Sequence, residues 1–346
     1  MLPKQTAKHY ILSSSPHTHA KSSVSGLMLD VIIALLPALC CSVWFFGWKA
    51  LLLAGTCIAS CLATEALCRL AMKRESSIGD LSAVLTGLLL ALNLPPDLPL
   101  WMAVVGGAFA IAIAKQVFGG LGYNPFNPAL AARAFMLVSF SEAMTHWSAS
   151  GWKLAAGPLT GPGAADALTT ATPLQYLKTF ATAAWDKLPS ADQALNFAQP
   201  SFLKAAFFGN VNGCLGEVCS IALLLGAAYL LFRRVITWHI PVAFIGTVAV
   251  YAFFNYGMNL TALKLAEVHV LSGGVILGAC FMATDYVTSP ITAKGKLIFG
   301  CGCGLLTMLI RTQGSFPEGV SFAILIMNAF TPLISRFTQP KPFGAK

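Results

Sequence analysis

Leu271-Ser-Gly-Gly-Val-Ile-Leu-Gly-Ala-Cys-Phe-Met-Ala-Thr-Asp285, running on to Ser289-Pro290, is the stretch that decides how this chain folds. It opens as an apolar run, but a glycine pair precedes it and an acid and a proline stop it short of the roughly 20 residues that cross a bilayer. A segment of this kind is tolerated at membrane depth only where protein or a lined cavity satisfies its freed backbone groups. The first half holds a counterpart, Ser82-Ala-Val-Leu-Thr-Gly-Leu-Leu-Leu-Ala91, which stops at Leu94-Pro95-Pro96. Each broken segment precedes a full span and then a proline-bearing turn, Gly122-Tyr-Asn-Pro-Phe-Asn-Pro-Ala129 in one half and Phe316-Pro-Glu-Gly319 in the other.

Outward from these breaks the chain reads as membrane throughout. Of its 346 residues 56% are hydrophobic and only 10% are charged, against about 25% charged in soluble domains. Mean hydropathy is +0.72, more apolar surface than a soluble globule can hide. Apolar runs bounded by Pro, Gly and charge predict helical segments near 26–46, 50–71, 78–94, 99–118, 127–141, 216–233, 239–256, 272–288, 296–312 and 317–337. The expected fold is an all-α polytopic membrane protein with about ten transmembrane segments, arranged as two five-helix inverted repeats with broken helices. The expected division is a cytoplasmic N-terminal segment (1–25), a first repeat (26–141), an extracytoplasmic loop (142–212), a second repeat (213–337) and a cytoplasmic tail (338–346).

The net charge of +9 does not point to nucleic acid, because the basic residues recur at span ends. Lys4, Lys8, Lys21, Arg69, Lys73, Arg74, Lys115, Arg233, Arg234, Lys294, Lys296, Arg336, Lys341 and Lys346 fall on one side of this segmentation. By the positive-inside rule that side and both termini are cytoplasmic. The polar first 25 residues lack an apolar run and a small-residue cleavage site, so no cleavable signal peptide is expected. Nine of the ten cysteines fall inside apolar spans and Cys214 lies just before one. All ten are read as small packing hydrophobes.

Ionisable residues at membrane depth are costly and usually functional. Asp285 lies at the break, beside Thr284, Thr288 and Ser289; Glu217 and Glu318 lie near span ends. Hard oxygen ligands beside freed carbonyls suit Na⁺ or a proton relay. For Asp285 and Glu217 a capping or snorkelling role fits equally on sequence, and that bland role is the preferred reading of Asp30, Asp80 and Glu65. Asn124, Asn127 and Arg133 surround the Asn-Pro steps of 123–128; their donors suit an isoalloxazine edge, with Phe126 and Phe135 against its face, or a re-entrant turn.

One polar segment remains: Asp166-Ala-Leu-Thr-Thr-Ala-Thr172, followed by Pro173-Leu174. It resembles the acceptor on which flavin transferases esterify flavin mononucleotide (FMN) to a threonine; a threonine-rich loop bonding water is the alternative. Together with Gly122 to Ala129, Gly213-Cys-Leu-Gly-Glu217, Gly278 to Pro290 and Phe316 to Asn328, in that order, it resembles the signature blocks of one family. That family contains the RnfD component of the Rnf complex and the NqrB component of the Na⁺-translocating NADH:quinone oxidoreductase; the short N-terminus is more similar to the Rnf component. The resemblance implies two inverted repeats, FMN bound covalently at Thr172 with Asp166 and Ala171 keeping the acceptor pattern, and riboflavin held non-covalently among the helices. The position before Ala171, commonly Gly in the family, is Thr170 here. It also implies a multi-subunit complex that couples ferredoxin/NAD electron transfer to Na⁺ or H⁺ movement, and a flavin transferase for maturation. The chain has no dinucleotide fingerprint, so it is expected to be a relay within such an enzyme. The alternative is a channel or solute transporter of the same fold without redox activity.

Overall fold

The computed structural model describes residues 23–75, 77–146, 174, 177–178, 200–209, 213–314 and 318–340. Among them the regular structure is helical throughout: α1 (Val24–Phe46), α2 (Trp48–Ala71), α3 (Ser82–Leu92), α4 (Leu100–Ile111), α5 (Pro128–Ser139), α6 (Ser220–Phe232), α7 (His239–Asn255), α8 (Leu260–Leu271), α9 (Ala293–Gln313) and α10 (Val320–Phe337). Short helices lie at Ser141–Thr145 and Pro200–Phe208.

Local chemistry sets the boundaries. Ser23 caps α1 by accepting from the Gly26 amide at 3.1 Å, and Thr292 caps α9 from Gly295 at the same distance. Asn127 accepts from the amides of Ala129 and Leu130, and Pro128 occupies the first turn of α5, where a missing N–H costs nothing. α3 ends at Asn93 because Pro95 and Pro96 have no N–H to continue it. Leu81, with φ +62°, turns the chain into α3, and Gly273 and Gly274, with φ +70° and +66°, break the helix after α8. The chain resumes as Val275–Leu277 and a π turn, Gly278–Met282, bent by 62° from α8. A second π turn, Ala112–Gln116, prolongs α4.

Among the described residues four helices, α1, α2, α9 and α10, are long and apolar enough to cross a membrane, and α8 with the segment behind it makes a bent fifth. The remaining apolar helices, α3, α4 with its π turn, α5, α6 and α7, have 10–17 residues each. Each of the ten expected runs contains helix, but the eighth, 272–288, is helical only over 275–282 and needs a correction. The eighth begins earlier than hydropathy indicates, because Leu260–Leu271 is helical although Lys264, Glu267 and His269 dilute its apolar signal.

α2 packs on α3 and α4, and α4 on α5; α7 packs on α8 and α9, and α9 on α10. α1 lies against α6, and α5 against α10. The α1–α6 contact is close because Gly226 has no side chain: a Cβ there would stand 2.0 Å from the Ala34 carbonyl oxygen. Without water to drive helices together, such small-residue contacts supply dispersion that lipid does not. Gly226→Ala is therefore expected to destabilise the protein by about 1–3 kcal/mol, the usual cost of overpacking. Gly246→Ala, where nothing lies within 4 Å, is the control, and thermal unfolding in detergent compares the two. Equal melting temperatures would show that α1 and α6 yield without cost.

Candidate functional site

The two breaks meet, and a buried arginine joins them. Arg133, one and a half turns into α5, is 4% exposed. Its Nη1 donates to Asn93 Oδ1 at the end of α3, at 2.6 Å. Its Nη2 forms an ion pair with Glu318, lies 3.5 Å from Glu217 Oε1 and donates to Cys214 Sγ at 3.5 Å. The segment before α6 is held against α3 by its backbone: Leu215 N donates to the Leu94 carbonyl at 3.1 Å and Gly216 N to that of Leu92 at 2.7 Å. Carbonyls that the Pro95-Pro96 stop leaves free are thus satisfied by the other half of the chain.

A second arginine serves the second break. Arg311, near the end of α9 and 3% exposed, donates to the carbonyls of His269, Ser272 and Gly273 at 2.6, 3.0 and 3.0 Å. Arg311 and Glu217 flank adjoining glycines: a Cβ on Gly273 would lie 2.6 Å from Arg311 Nη2, and one on Gly274 2.8 Å from Glu217 Oε1. Two guanidiniums and two carboxylates therefore gather where the breaks converge, and their charges balance. Leu174, 3% exposed, packs at the same elbow, since a Cβ on Gly273 would stand 2.2 Å from its Cδ1.

Toward the opposite end of α5 a cavity of about 390 Å³ opens between the two halves. Its apolar walls include Leu27, Met28, Leu85, Leu89 and Phe281, and its polar positions include Thr86, Lys115, Asn124, Asn127, Thr284 and Asp285. Asn127 links it to the arginine centre: its Nδ2 donates to the Met282 carbonyl at 3.3 Å, and Arg133 lies roughly 9 Å further along the helix at 1.5 Å per residue. Asn93 Nδ2 lies 3.6 Å from Met282 Sδ. Asn124 donates Nδ2 to the Phe126 carbonyl at 3.0 Å, and no bond to its Oδ1 occurs among the described residues. Asp285 accepts locally, from Val287 N at 3.4 Å and Thr288 Oγ1 at 3.3 Å.

The residues singled out by sequence thus fall into two places. Asn124, Asn127 and Asp285 line the cavity, whereas Arg133, Glu217 and Glu318 converge at the breaks. Arg133 is not a wall of the cavity, and Phe135 is stacked on Phe109 at 4.2 Å instead of facing it. Thr172, Asp166 and Ala171 lie outside the described residues. Cys214 is no mere packing residue, because it accepts from Arg133. Asp80, in the turn before the cap residue Leu81, accepts from Ser82 N at 3.0 Å, and Asp30 meets Arg233 at 3.1 Å and Tyr229 at 2.9 Å across the α1–α6 contact. Glu65 neither caps nor snorkels: it is fully buried and paired with Lys115 at 2.8 Å. The one sequence signal for that pair is placement, a lysine closing the run Ile111-Ala-Ile-Ala114 before Val117-Phe118.

Removing the Arg133 charge should be severe, because it strands two buried carboxylates. Arg133→Gln is expected to cost about 3–5 kcal/mol of stability, the usual result of breaking a buried pair. Adding Glu318→Gln to it should recover part of the loss. Unfolding of the purified protein in detergent measures both variants, and an additive double loss would mean that Arg133 and Glu318 do not act as a pair.

Comparison with known proteins places this architecture. The model of the NQR2, RnfD, RnfE family matches residues 11–344. The chain is 46% identical over 333 residues to the D subunit of the Na⁺-translocating ferredoxin:NAD⁺ oxidoreductase complex of Acetobacterium woodii, covering 96% of this chain and 95% of that protein. It is 44% identical to the D subunit of the proton-translocating ferredoxin:NAD⁺ oxidoreductase complex of Clostridium ljungdahlii, covering 97% of each. With the D subunit of the ion-translocating oxidoreductase complex of Halorhodospira halophila it shares 40% identity, covering 96% and 95%. With matches of this length added to the paired breaks at Asn93 and Gly273, the chain belongs to the NQR2, RnfD, RnfE family, among its D subunits.

Proposed function

We propose that this chain is the flavin-carrying membrane relay of an Rnf-type complex that couples electron transfer between ferredoxin and NAD to movement of Na⁺ or H⁺. The observation that carries the reading is end-to-end similarity to D subunits of such complexes. Its relatives named for Na⁺ and for protons are nearly equally similar, so the proposal spans both ions. Within the complex the chain works beside other membrane and peripheral subunits, in the cytoplasmic membrane, with both termini inside.

The architecture proposed is ten spans in two five-helix inverted repeats, 26–141 and 213–337, around the extracytoplasmic loop 142–212. Equivalent packing in the two halves supports it, as do the contacts of first helix with first and fifth with fifth. So does the matching use of two buried cations, Lys115 and Arg311. Each sits near the end of the fourth helix of its half and reaches the third segment beside its positive-φ turn.

Two flavins belong to the proposal. FMN is esterified through its phosphate to Thr172, with Asp166 and Ala171 completing the acceptor for a flavin transferase. The chain reaches Leu174, buried at the Gly273 elbow, two residues later. Riboflavin occupies the cavity between the halves, where apolar walls suit a planar ring and Asn124 and Asn127 suit its polar edge. The volume falls in the roughly 300–1,000 Å³ range of small-molecule sites. When bound, flavin supplies the redox chemistry, while this chain positions it, excludes water and sets the local field. Asp285 on the cavity wall, with Glu217 and Glu318 at the breaks, marks the proposed ion route.

Thr172→Ala should remove the covalent flavin and leave insertion and assembly intact, read as loss of the fluorescent band in denaturing electrophoresis and of the FMN-bearing peptide by mass spectrometry. Recovery of that peptide from the variant would refute the attachment site. Asp285→Asn keeps volume but removes a charge, so it should retain both flavins and weaken ion-dependent electron transfer in the assembled complex. Unchanged transfer with unchanged Na⁺ and pH dependence would make Asp285 a structural residue of the Thr288 turn.

A further inference from the structure

Lys115 is among the largest side chains in the protein that are wholly buried, at 1% exposure. It stands in the π turn that ends α4, and its Nζ uses all three donors: on Glu65 Oε1 at 2.8 Å, Glu65 Oε2 at 3.0 Å and Ser82 Oγ at 2.7 Å. Glu65 is clamped from behind, accepting also from Ser77 Oγ at 2.6 Å and Gln116 Nε2 at 3.1 Å. Lys115 and Ser82 are walls of the cavity; Glu65, Ser77 and Gln116 are not. The pair is neutral as a whole, but its positive end faces the cavity and its negative end faces away. The N-terminal turns of α3 and α5, at Ser82 and Pro128, also line the cavity and add the positive ends of two helix dipoles. Asp285, on the wall contributed by the other half, has its oxygens engaged by Val287 and Thr288.

A structural pair needs no such asymmetry. A fixed positive charge in a mostly apolar cavity favours whichever form of a ligand carries more negative charge. An oxidised isoalloxazine is neutral. Two electrons from ferredoxin-class donors, which are oxidised in turn, and one proton from water convert it to a monoanion. No protein bond forms or breaks, and Lys115 keeps its proton. We propose that Lys115, aimed by Glu65, makes this cavity hold the reduced flavin more tightly than the oxidised one, and so sets the potential of the relay. Lys115 faces the ligand; Glu65 is a positioning residue. This rests on the reading of the cavity as the riboflavin pocket.

The test uses the purified complex and riboflavin itself, oxidised or reduced with dithionite under anaerobic conditions, with affinity for each form measured by equilibrium dialysis. The variant Lys115→Met/Glu65→Gln removes both charges without stranding either. It should lose about ten-fold of the preference for the reduced form, equivalent to about 30 mV for a two-electron couple. Lys115→Arg should keep the wild-type preference. Glu65→Gln alone, which leaves the cation without its counter-charge, should raise it, and this variant decides the matter if the double one does not assemble. An unchanged preference in either the double variant or Glu65→Gln would overturn the proposal. So would equal losses for both forms, or a fall in Lys115→Arg as large as that of the double variant. Wild-type complex that neither contains nor binds non-covalent riboflavin would refute the pocket reading itself, before any variant is made.

Discussion

A helix that stops inside a membrane leaves carbonyls and amides that lipid cannot satisfy, and the rest of this structure follows from that debt. At the α3 stop, Leu215 and Gly216 donate to the Leu94 and Leu92 carbonyls. At the Gly273 elbow, Arg311 takes three carbonyls at once. Local bonds, such as Asn93 Nδ2 to the Leu89 carbonyl and Leu94 N to that of Ala91, serve part of the α3 stop, but neither break is completed by its neighbours in sequence. Each break therefore depends on residues far along the chain, and at the α3 break the bonds from Leu215 and Gly216 also tie the two halves together.

The same requirement explains why charge is concentrated there. A guanidinium is the one side chain whose planar fork can serve several acceptors together while remaining charged. Once Arg133 and Arg311 are buried, carboxylates must follow, because isolated buried cations cost several kcal/mol each. Glu217 and Glu318 answer that need from the turns that begin α6 and α10. The result is a densely bonded centre of balanced charge with a mostly apolar cavity to one side. Met282 lies between them, its carbonyl on Asn127 and its sulfur near Asn93. Any shift of the segment Val275–Met282 is therefore felt at both places.

Much of this is legible in the sequence, for physical reasons that can be named. Hydropathy and proline position locate every long helix, and the glycine pair at 273–274 announces a backbone turn that other residues resist. Legibility fails where a side chain's meaning depends on a partner distant in sequence. Glu65 in isolation is an acid near a span end, and Lys115 a basic residue that counts toward orientation; only the packing of α2 against α4 turns them into a buried pair. Cys214 looks apolar because nothing near it in sequence indicates Arg133, 81 residues away. Helix α8 escapes hydropathy because Lys264, Glu267 and His269 break the apolar pattern, although His269 is buried at 3% and bonded to Tyr256. Arg133 stands out in the sequence but with the wrong neighbours, since the Asn-Pro steps beside it face the cavity and its own side chain does not.

The separation of the two places has a consequence for coupling. Electrons and ions need different surroundings: a redox ring needs an apolar pocket with a fixed field, and an ion needs exchangeable oxygen ligands. Under the proposed function the fixed field would come from Lys115 and the ion ligand from Asp285, which line one cavity from opposite halves of the chain. A change of charge in that cavity must therefore alter the attraction between the halves as well as the field within each. Met282 touches both places, with its carbonyl on Asn127 and its sulfur near Asn93, whose Oδ1 accepts from Arg133; under the proposed function this is the contiguous route by which such an alteration would reach Glu217 and Glu318. Coupling in such an arrangement needs no large rearrangement. It needs only that the balance of charge at one end of the Val275–Met282 segment depend on the charge at the other.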